Sequence, residues 1–334
     1  MYIRRVDKMN KIDLHKNPNL LNRGLDNKHF IRAFLEIKAN RSKNTSISYE
    51  RDIKDFFNVS YIEDISLEDV RRVNIFDAEK YILYLSNMGM SSATINRKIS
   101  SLSSLYKWLL KFKDNYTNSE IIKYNPFASL KEEKPVVNNK ETEFLTKEEC
   151  RILINSIEVD NIIGLRNRAM IALALTTALR KSEIINIKMK DIGKYGEYDV
   201  IHITRKGNKK DLVKIQPEVF QYINEYIEKT NRSFENDREK YLFLGHSKNS
   251  NENNPLDPSS FNYIIKKICS NAKINKKLKV HSTRHTAITI AITNGVTIEK
   301  VREFAGHKNI ATTNRYIHSI DKIKDNAGDS IDIF

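Results

Sequence analysis

Residues 280–318 carry the side-chain types that a phosphoryl-transfer site needs. His281 and Arg284 are spaced to project from one face of a helix, and His307 and Tyr316 follow. A tyrosine hydroxyl can attack phosphorus, and arginine binds phosphate oxygens with a planar, permanently charged fork. We interpret this stretch as one half of such a site, with Tyr316 as the nucleophile.

The second half is expected about a hundred residues upstream, at Arg180 and Lys206. Arg180 follows the apolar run ALALTTAL, and Glu183 is close enough in sequence to hold its guanidinium. An Arg–Glu pair that merely ends a helix explains the same residues. A tyrosine with a pKa near 10 is a weak nucleophile unless cations stabilise the phenolate, and this arginine and lysine would contribute to that field.

A zinc site at the histidines is the alternative chemistry. His281 and His285 have a spacing that zinc helices use, but Ser282 stands where such helices carry a general-base glutamate. No third ligand is evident. The sequence therefore predicts no metal and no cofactor.

Length and charge indicate the kind of partner. A chain of 334 residues predicts two domains, and its net charge of +15 favours a polyanion such as DNA, although a generic basic surface is the alternative. Cys150 and Cys269 are far apart and are expected to be reduced thiols. The N-terminus has no apolar signal region, and the most apolar run, 169–179, is too short to span a membrane. We expect a cytoplasmic, nucleoid-associated protein with no membrane partner.

The N-terminal half is predicted to be helical. Residues 1–26 show no sustained periodicity and are interpreted as an arm, whereas 27–113 show apolar residues at helical spacing. The clearest helix, 91–112, pairs an apolar stripe with a face of short polar and basic residues. This face predicts DNA contacts by Thr94, Asn96, Arg97 and Lys98, with a merely solvated face as the alternative.

The remaining segments outline a second domain. Residues 114–142 have the composition of a linker, and the domain 143–318 begins with a capping box at Thr146 and Glu149. Within it we predict a β-hairpin from strands at 197–204 and 211–215, with Lys206 and Lys209 at its tip. From residue 281 onward the pattern is helical, with breaks at Asn294-Gly295 and at Gly306.

The chain resembles the tyrosine recombinase (phage integrase) family, and most closely its compact Xer-type or mobile-element branch. The resemblance covers roughly residues 27–318. It rests on TALRKSE around Arg180, TRKGNKKDLVKI around Lys206, HSTRHT at 281–286, AGHKNIATTNRYIH at 305–318, and the helix SSATINRKISSLSSLYKWL.

The resemblance implies a role for each residue of the motif. Tyr316 would form a 3′-phosphotyrosyl link, Arg180 and Arg284 would clamp the non-bridging oxygens, and Lys206 would protonate the leaving 5′-oxygen. His307 would bond the phosphate and His281 would assist proton transfer at the tyrosine. Because the phosphotyrosyl link conserves the energy of the broken bond, neither ATP nor metal is required.

The sequence departs from the family pattern at three positions. Ala178 stands where glycine is common, Thr283 where leucine is common, and Phe304-Ala305 where Leu-Gly is frequent. All three are expected to affect packing rather than the charged groups. The tail, 319–334, ends in Ile331, Ile333 and Phe334, and it either docks on a neighbouring protomer or is a frayed end.

The sequence therefore predicts a mainly α, two-domain, C-shaped DNA clamp: a helical, SAM-like core-binding domain and a mostly helical catalytic domain with a small β-sheet. The resemblance implies that the protein acts on double-stranded DNA with inverted-repeat core sites. It implies a dimer at each site, a tetramer in synapsis and a Holliday-junction intermediate, and it leaves open a need for accessory DNA-binding proteins. A type IB topoisomerase-like enzyme and a catalytically silent DNA-binding protein are the alternatives. The biological setting, whether integration, excision or resolution, stays open.

Overall fold

The chain forms two compact units, Met1–Lys140 and Glu141–Phe334. The computed structural model describes residues 29–113, 118–130, 132–137, 142–205, 209–246, 254–307, 309–314 and 316. Each unit has its own cluster of buried apolar side chains. The prediction of a mainly helical protein with a small sheet is confirmed, whereas the clamp shape stays a prediction. The predicted N-terminal arm and C-terminal tail lie outside the described residues.

The N-terminal unit is a helical bundle. Its helices are α1 (Phe30–Ala39), α2 (Lys43–Phe57), α3 (Leu67–Arg72), α4 (Ile75–Asn87) and α5 (Ser92–Leu109). Several begin at a serine or asparagine whose side chain accepts a hydrogen bond from a main-chain N–H of the first turn, as at Ser42, Ser66, Asn74 and Ser91. The short α3 was not predicted, because six residues are too few to show a helical period.

The prediction that the polar face of α5 is free to contact DNA is wrong at Lys98. Lys98 is buried with its ammonium on Asp52 and Asp55, and Ser101 is buried with its hydroxyl on Asp52. Asp52, on α2, is fully buried and also accepts a bond from Arg97. Helix α5 therefore packs on two sides, and the second contact is an ion-pair network that apolar periodicity cannot reveal.

The predicted linker is wrong over its first half. Side chains of Ile121, Ile122, Phe127 and Leu130 belong to the core of the N-terminal unit. Asn125 fastens this segment, because its amide donates to the carbonyl and hydroxyl oxygens of Ser103. Asn125 and Pro126, which resemble part of a linker, instead lie between the buried Ile122 and Phe127.

The second unit contains the candidate site. Its helices are α6 (Lys147–Asn155), α7 (Ile162–Thr177), α8 (Lys181–Ile185), α9 (Pro217–Lys229), α10 (Pro258–Asn271), α11 (Val280–Thr293) and α12 (Ile298–Ala305), and residues 310–314 are also helical. Helix α7 is buried along nearly its whole length and packs against α9 and α11. The predicted capping box of Thr146 and Glu149 and the predicted breaks at Asn294-Gly295 and Gly306 are confirmed.

An antiparallel sheet lies between α8 and α9 in the chain. Its strands are β1 (Ile192–Tyr195), β2 (Tyr198–Arg205) and β3 (Lys209–Lys214), in the order β1-β2-β3. The β2–β3 pair is the predicted hairpin, and Arg205 lies opposite Lys209. Strand β1 was not predicted. Within the described residues, no helix is both long enough and apolar enough to cross a membrane.

Candidate active site

Arg180 lies at the start of α8, directly after a sharp turn. Helix α7 ends at Thr177, and Ala178 adopts a left-handed conformation (φ 49°) that redirects the chain. The Arg180 guanidinium donates to Glu183 Oε1 at 2.8 Å, and its main-chain N–H donates to Glu183 Oε2 at 2.7 Å. Glu183 thus holds the arginine, as predicted. The Arg180 side chain remains 37% exposed, so an anion can reach it.

Arg284, on α11, is held by main-chain carbonyls. Its side chain is buried, with one nitrogen donating to Ala178 O and another to Ala305 O. No carboxylate pairs with it among the residues that the structure describes. Burial and the neighbouring Arg180 lower the Arg284 pKa to about 10, so it remains charged at neutral pH. Glu183 acts on it only from a distance, so no direct ion pair within the described residues neutralises its charge.

One cavity brings three of the predicted residues together. It measures about 410 Å³ and is lined by Arg180, His281 and Arg284, with Lys181 and Lys279 beside them. His281 has an exposed side chain, but partial burial and the two arginines lower its pKa. The cavity combines several cations with an imidazole that is neutral at pH 7. It is suited to a phosphate.

Tyr316 lies against histidine rings. Its ring centroid is 4.5 Å from that of His285 and 6.0 Å from that of His307, and the Phe144 ring stacks on His285. The tyrosine is 9% exposed. Burial raises its pKa, and Arg284 and Arg180 only partly offset this effect. The hydroxyl is therefore protonated at neutral pH, although it lies in the field of the two arginines.

His307 follows Gly306, where α12 ends. Its Nδ1 is 2.9 Å from the hydroxyl of Thr313, a fully buried residue. Burial, together with Arg284, Arg180 and Arg205, lowers the His307 pKa to about 4. The ring is neutral near pH 7, and a neighbouring phosphate would make it easier to protonate.

Comparison with protein families decides the classification. Residues 143–322 match the model described as "Phage integrase family", and residues 30–113 match "Phage integrase, N-terminal SAM-like domain". The chain belongs to the phage integrase family. It is a tyrosine recombinase, an enzyme of site-specific DNA recombination that cleaves and rejoins DNA.

Relatives of this recombinase resemble it along most of its length. Tyrosine recombinase XerC of Anoxybacillus flavithermus is 30% identical over 290 residues, which cover 85% of this chain and 90% of the relative. XerC of Listeria monocytogenes serotype 4a is 29% identical over 288 residues, with the same coverage.

Two solved structures share the fold. XerH recombinase bound to the difH substrate after cleavage has a TM-score of 0.67 at 20% identity, and the match covers 84% of this chain and 76% of that one. The Tn1549 transposon integrase in complex with circular intermediate DNA has a TM-score of 0.63 at 20% identity, and covers 84% and 92%.

The recombinase has a buried arginine that the sequence reasoning missed. Arg205, at the end of β2, donates to Asp211 and to the carbonyls of Phe304 and Ala305. A signal for it existed, because Ile201 and Ile203 alternate on the buried face of the strand and Arg205 is the next residue in that series. Lys206, the next residue, lies outside the described residues.

The structure contradicts one of the predicted DNA contacts of the recombinase and leaves the others as predictions. The predicted contact between Lys98 and DNA is wrong, because the Lys98 ammonium is buried against the carboxylates of Asp52 and Asp55. Arg97 is 45% exposed although it bonds Asp52, and Lys209 is exposed at the start of β3. These two, with Thr94 and Asn96, stay predictions. Asn96 donates to Pro135 O, which limits how freely it can turn toward DNA.

The described residues of the recombinase contain no group of three or more His, Cys, Asp or Glu side chains that could hold a metal ion. The ring of His285, the residue that raised the question of zinc, packs against the rings of Phe144 and Tyr316. Its Nδ1 is 3.2 Å from the Thr289 hydroxyl.

Proposed function

We propose that Tyr316 attacks the scissile phosphate of a double-stranded DNA site and forms a 3′-phosphotyrosyl link. One observation carries the proposal: Arg180 and Arg284 line one cavity with His281, and both arginines act electrostatically on Tyr316. A cavity with cations on its wall and a tyrosine within their field is what in-line attack on a phosphodiester requires.

The arginines stabilise the charge that develops on the non-bridging oxygens. Arg180 is oriented by Glu183, and Arg284 is oriented by two carbonyls. Because Arg284 has no carboxylate partner among the described residues, a phosphate entering the cavity meets an uncompensated cation. Fixed donors of this kind need little reorganisation during the reaction.

Two proton transfers complete the reaction. As the Tyr316 Oη–P bond forms and the P–O5′ bond breaks, the phenol loses its proton and the 5′-oxygen gains one. His281 is suited to accept the first proton, because its lowered pKa keeps it neutral at pH 7. Lys206 supplies the second in this proposal, which rests on its position in the family motif. His307 donates to a non-bridging oxygen.

The recombinase acts as a homo-oligomer in this proposal. Two protomers occupy an inverted-repeat site, and four exchange strands through a Holliday junction, with accessory DNA-binding proteins where the site requires them. Thr94, Asn96, Arg97 and Lys209 contact the DNA. We place the protein in the cytoplasm, on nucleoid DNA.

The C-terminal tail has a candidate docking site in the second unit. A cavity of about 640 Å³ has apolar walls from α6, α7, α11 and α12 and a rim that includes Lys147, Arg151 and Lys300. The tail ends in Ile331, Ile333 and Phe334 beside Asp329 and Asp332, so its apolar and acidic residues complement this lining. We propose that the tail of one protomer enters this cavity of the next. Ile333→Ser with Phe334→Ser should then abolish tetramers on DNA in sedimentation runs, while cleavage at a single site persists.

A trapping experiment tests the chemistry. Nicked duplexes that carry candidate sites from the DNA flanking the gene, together with a pool of randomised inverted repeats, are incubated with wild type and with Tyr316→Phe in EDTA. A covalent adduct formed by wild type and lost in Tyr316→Phe is the expected result. Tyr316→Phe retains the ring that packs on His285, so the loss of the adduct reports on the hydroxyl.

Other outcomes point to the alternatives. Binding without an adduct from wild type would favour a silent DNA-binding protein. Relaxation of supercoiled plasmid by monomers without recombinant products would favour topoisomerase-like chemistry. An adduct that persists in Tyr316→Phe would assign the nucleophile to another residue.

A further inference from the structure

Arg205, a buried arginine with a carboxylate partner, links the β-hairpin to the turn before His307. Arg205 is 7% exposed, and its Nε donates to Asp211 Oδ2 at 2.5 Å. In the β2–β3 register Asp211 lies opposite Ile203, so it is the diagonal neighbour of Arg205 on the same face. The carboxylate thus fixes the arginine from within its own hairpin.

The other end of Arg205 reaches the C-terminus of α12. Its Nη1 donates to Ala305 O at 3.1 Å, and its Nη2 lies 3.4 Å from Phe304 O. Ala305 O also accepts a hydrogen bond from Arg284. One carbonyl therefore binds two guanidinium groups that come from different parts of the chain, and the carbonyl carries the partial negative charge of a helix C-terminus.

The turn is built closely around Arg205. Gly306 has a left-handed conformation (φ 60°), and a Cβ atom at this position would lie 2.2 Å from Arg205 Nη1. His307 is the next residue. Arg205 therefore contacts both the turn that carries this histidine and the carbonyl that binds Arg284.

Arg205 and Arg284 differ in whether a carboxylate neutralises their charge. Asp211 neutralises Arg205, whereas Arg284 has no carboxylate partner among the described residues. Arg284 lines the cavity with Arg180 and His281, whereas Arg205 does not. The bonds of Arg205 are suited to fixing geometry, and the net positive charge at the Ala305 carbonyl is left to Arg284.

We propose that Arg205, fixed by Asp211, is a positioning residue of the cleavage reaction: it holds the Ala305 carbonyl and the Gly306 turn, and through them it orients Arg284 and His307. This inference rests on the proposed function, in which Arg284 acts on a non-bridging oxygen of the scissile phosphate.

The test changes the protein and one substrate atom together. Single-turnover cleavage at saturating enzyme is measured on the nicked duplex that wild type cleaves, with either a phosphodiester or a methylphosphonate at the scissile position. The methylphosphonate lacks the charge on which Arg284 acts. Arg205→Met should slow phosphodiester cleavage by about 10- to 100-fold, the range that a misplacement of about 1 Å produces. On the methylphosphonate the defect should shrink to about threefold or less.

A matched control separates positioning from general stability. Arg232 is also buried and also donates to main-chain carbonyls, those of Tyr241 and Leu242, but it takes no part in the site. Arg232→Met should change cleavage of both linkages by the same factor. Arg205→Lys, which can still reach one acceptor, should recover part of the lost rate. Equal defects of Arg205→Met on both linkages, or a wild-type rate on the phosphodiester, would overturn the inference.

Failure of the proposed function is recognised separately. Arg284→Met should show the same dependence on the linkage as Arg205→Met. If Arg284→Met cleaves like wild type, the proposed role of Arg284 is wrong and the inference fails with it.

A measurement without DNA tests the same geometry. In NMR titrations, the His307 pKa should rise in Arg205→Met, because Arg205 is among the cations that lower it, and should stay unchanged in Arg232→Met. An unchanged His307 pKa in Arg205→Met would contradict the coupling.

Discussion

Arg284 donates a hydrogen bond to the carbonyl of Ala178, the residue at which α7 ends in a left-handed conformation (φ 49°, ψ 22°). The turn that presents Arg180 thus also supplies an acceptor for the second arginine of the site. From the sequence, the alanine at this position is interpreted as a change in packing. The structure shows that the backbone conformation at this position also favours glycine.

Replacing Ala178 by glycine tests this view. Relief of the left-handed strain, about 1–2 kcal/mol, should offset the loss of one buried methyl group and the added freedom of the unfolded chain, about 1–2 kcal/mol together. Ala178→Gly should therefore lie within about 1 kcal/mol of wild type in the free energy of unfolding measured by urea denaturation.

Ala174 is the control for this substitution, because it is equally buried but lies within α7. Ala174→Gly should cost about 2 kcal/mol, from helix propensity and the lost methyl group. Equal costs for the two variants would contradict the importance of backbone strain at Ala178.

Gly306→Ala should impair DNA cleavage. The new Cβ would collide with the Arg205 guanidinium and displace it from Ala305 O. Gly196 offers a matched control, because its φ of 59° is nearly the same but no atom lies within 4 Å of its Cβ position. Gly196→Ala should lose only about 1 kcal/mol of stability from strain and keep its cleavage rate. We expect Gly306→Ala to lose about tenfold or more in single-turnover cleavage; a rate equal to that of Gly196→Ala would refute the expectation.

Asp52→Ala should strongly destabilise the N-terminal unit. It would leave Lys98 buried with only the partly exposed Asp55, and removal of one partner from a buried pair costs about 3–5 kcal/mol. The exposed pair of Glu68 and Arg72 serves as the control, and Glu68→Gln should cost about 0.5 kcal/mol or less. Urea denaturation of the full chain, followed by the fluorescence of Trp108 in this unit, reports both changes. Similar losses of unfolding free energy in the two variants would show that the ion pairs of Asp52 do not stabilise the N-terminal unit.

The stability of the protein should fall on acidification, partly through His307. Its pKa is about 4 in the folded chain against an ordinary value of 6.5, so the unfolded chain binds the proton more readily between these values. This contribution is fully present above pH 6.5 and is lost as the pH falls toward 4. The loss of unfolding free energy from pH 7 to pH 4 should therefore be smaller in His307→Gln than in wild type. His281 titrates in both proteins and largely cancels in the comparison. An identical pH dependence would mean that His307 is not depressed in the folded chain.

The sequence predicts most of the helices and the hairpin because their signals are local. The capping residue Thr146, the break at Gly306 and the alternation Ile201–Ile203 each act over a few neighbouring residues. The buried side chains of α4 also follow from helical spacing alone.

The sequence alone does not identify the ion-pair partners of buried charged side chains. Lys98 and Arg205 both appear in basic, polar stretches, yet both are buried, because Asp52 and Asp211 accompany them. These partners are 46 and 6 residues away in the chain, and only the folded packing identifies them. The prediction of a linker at 114–142 is wrong in its first half for a related reason. The two isoleucines at 121–122 are too few to show a helical or strand period.

The carbonyls at 304–306 have a consequence for the synthesis of this enzyme. They accept hydrogen bonds from Arg180, Arg205 and Arg284, residues made well before them. On a translating ribosome these arginines emerge first and have no such acceptors until the last part of α12 follows. A nascent chain therefore contains the cations of the site without their final arrangement. Ala305 and Tyr316 are only 11 residues apart (316 − 305), so these acceptors and the proposed nucleophile are made almost together.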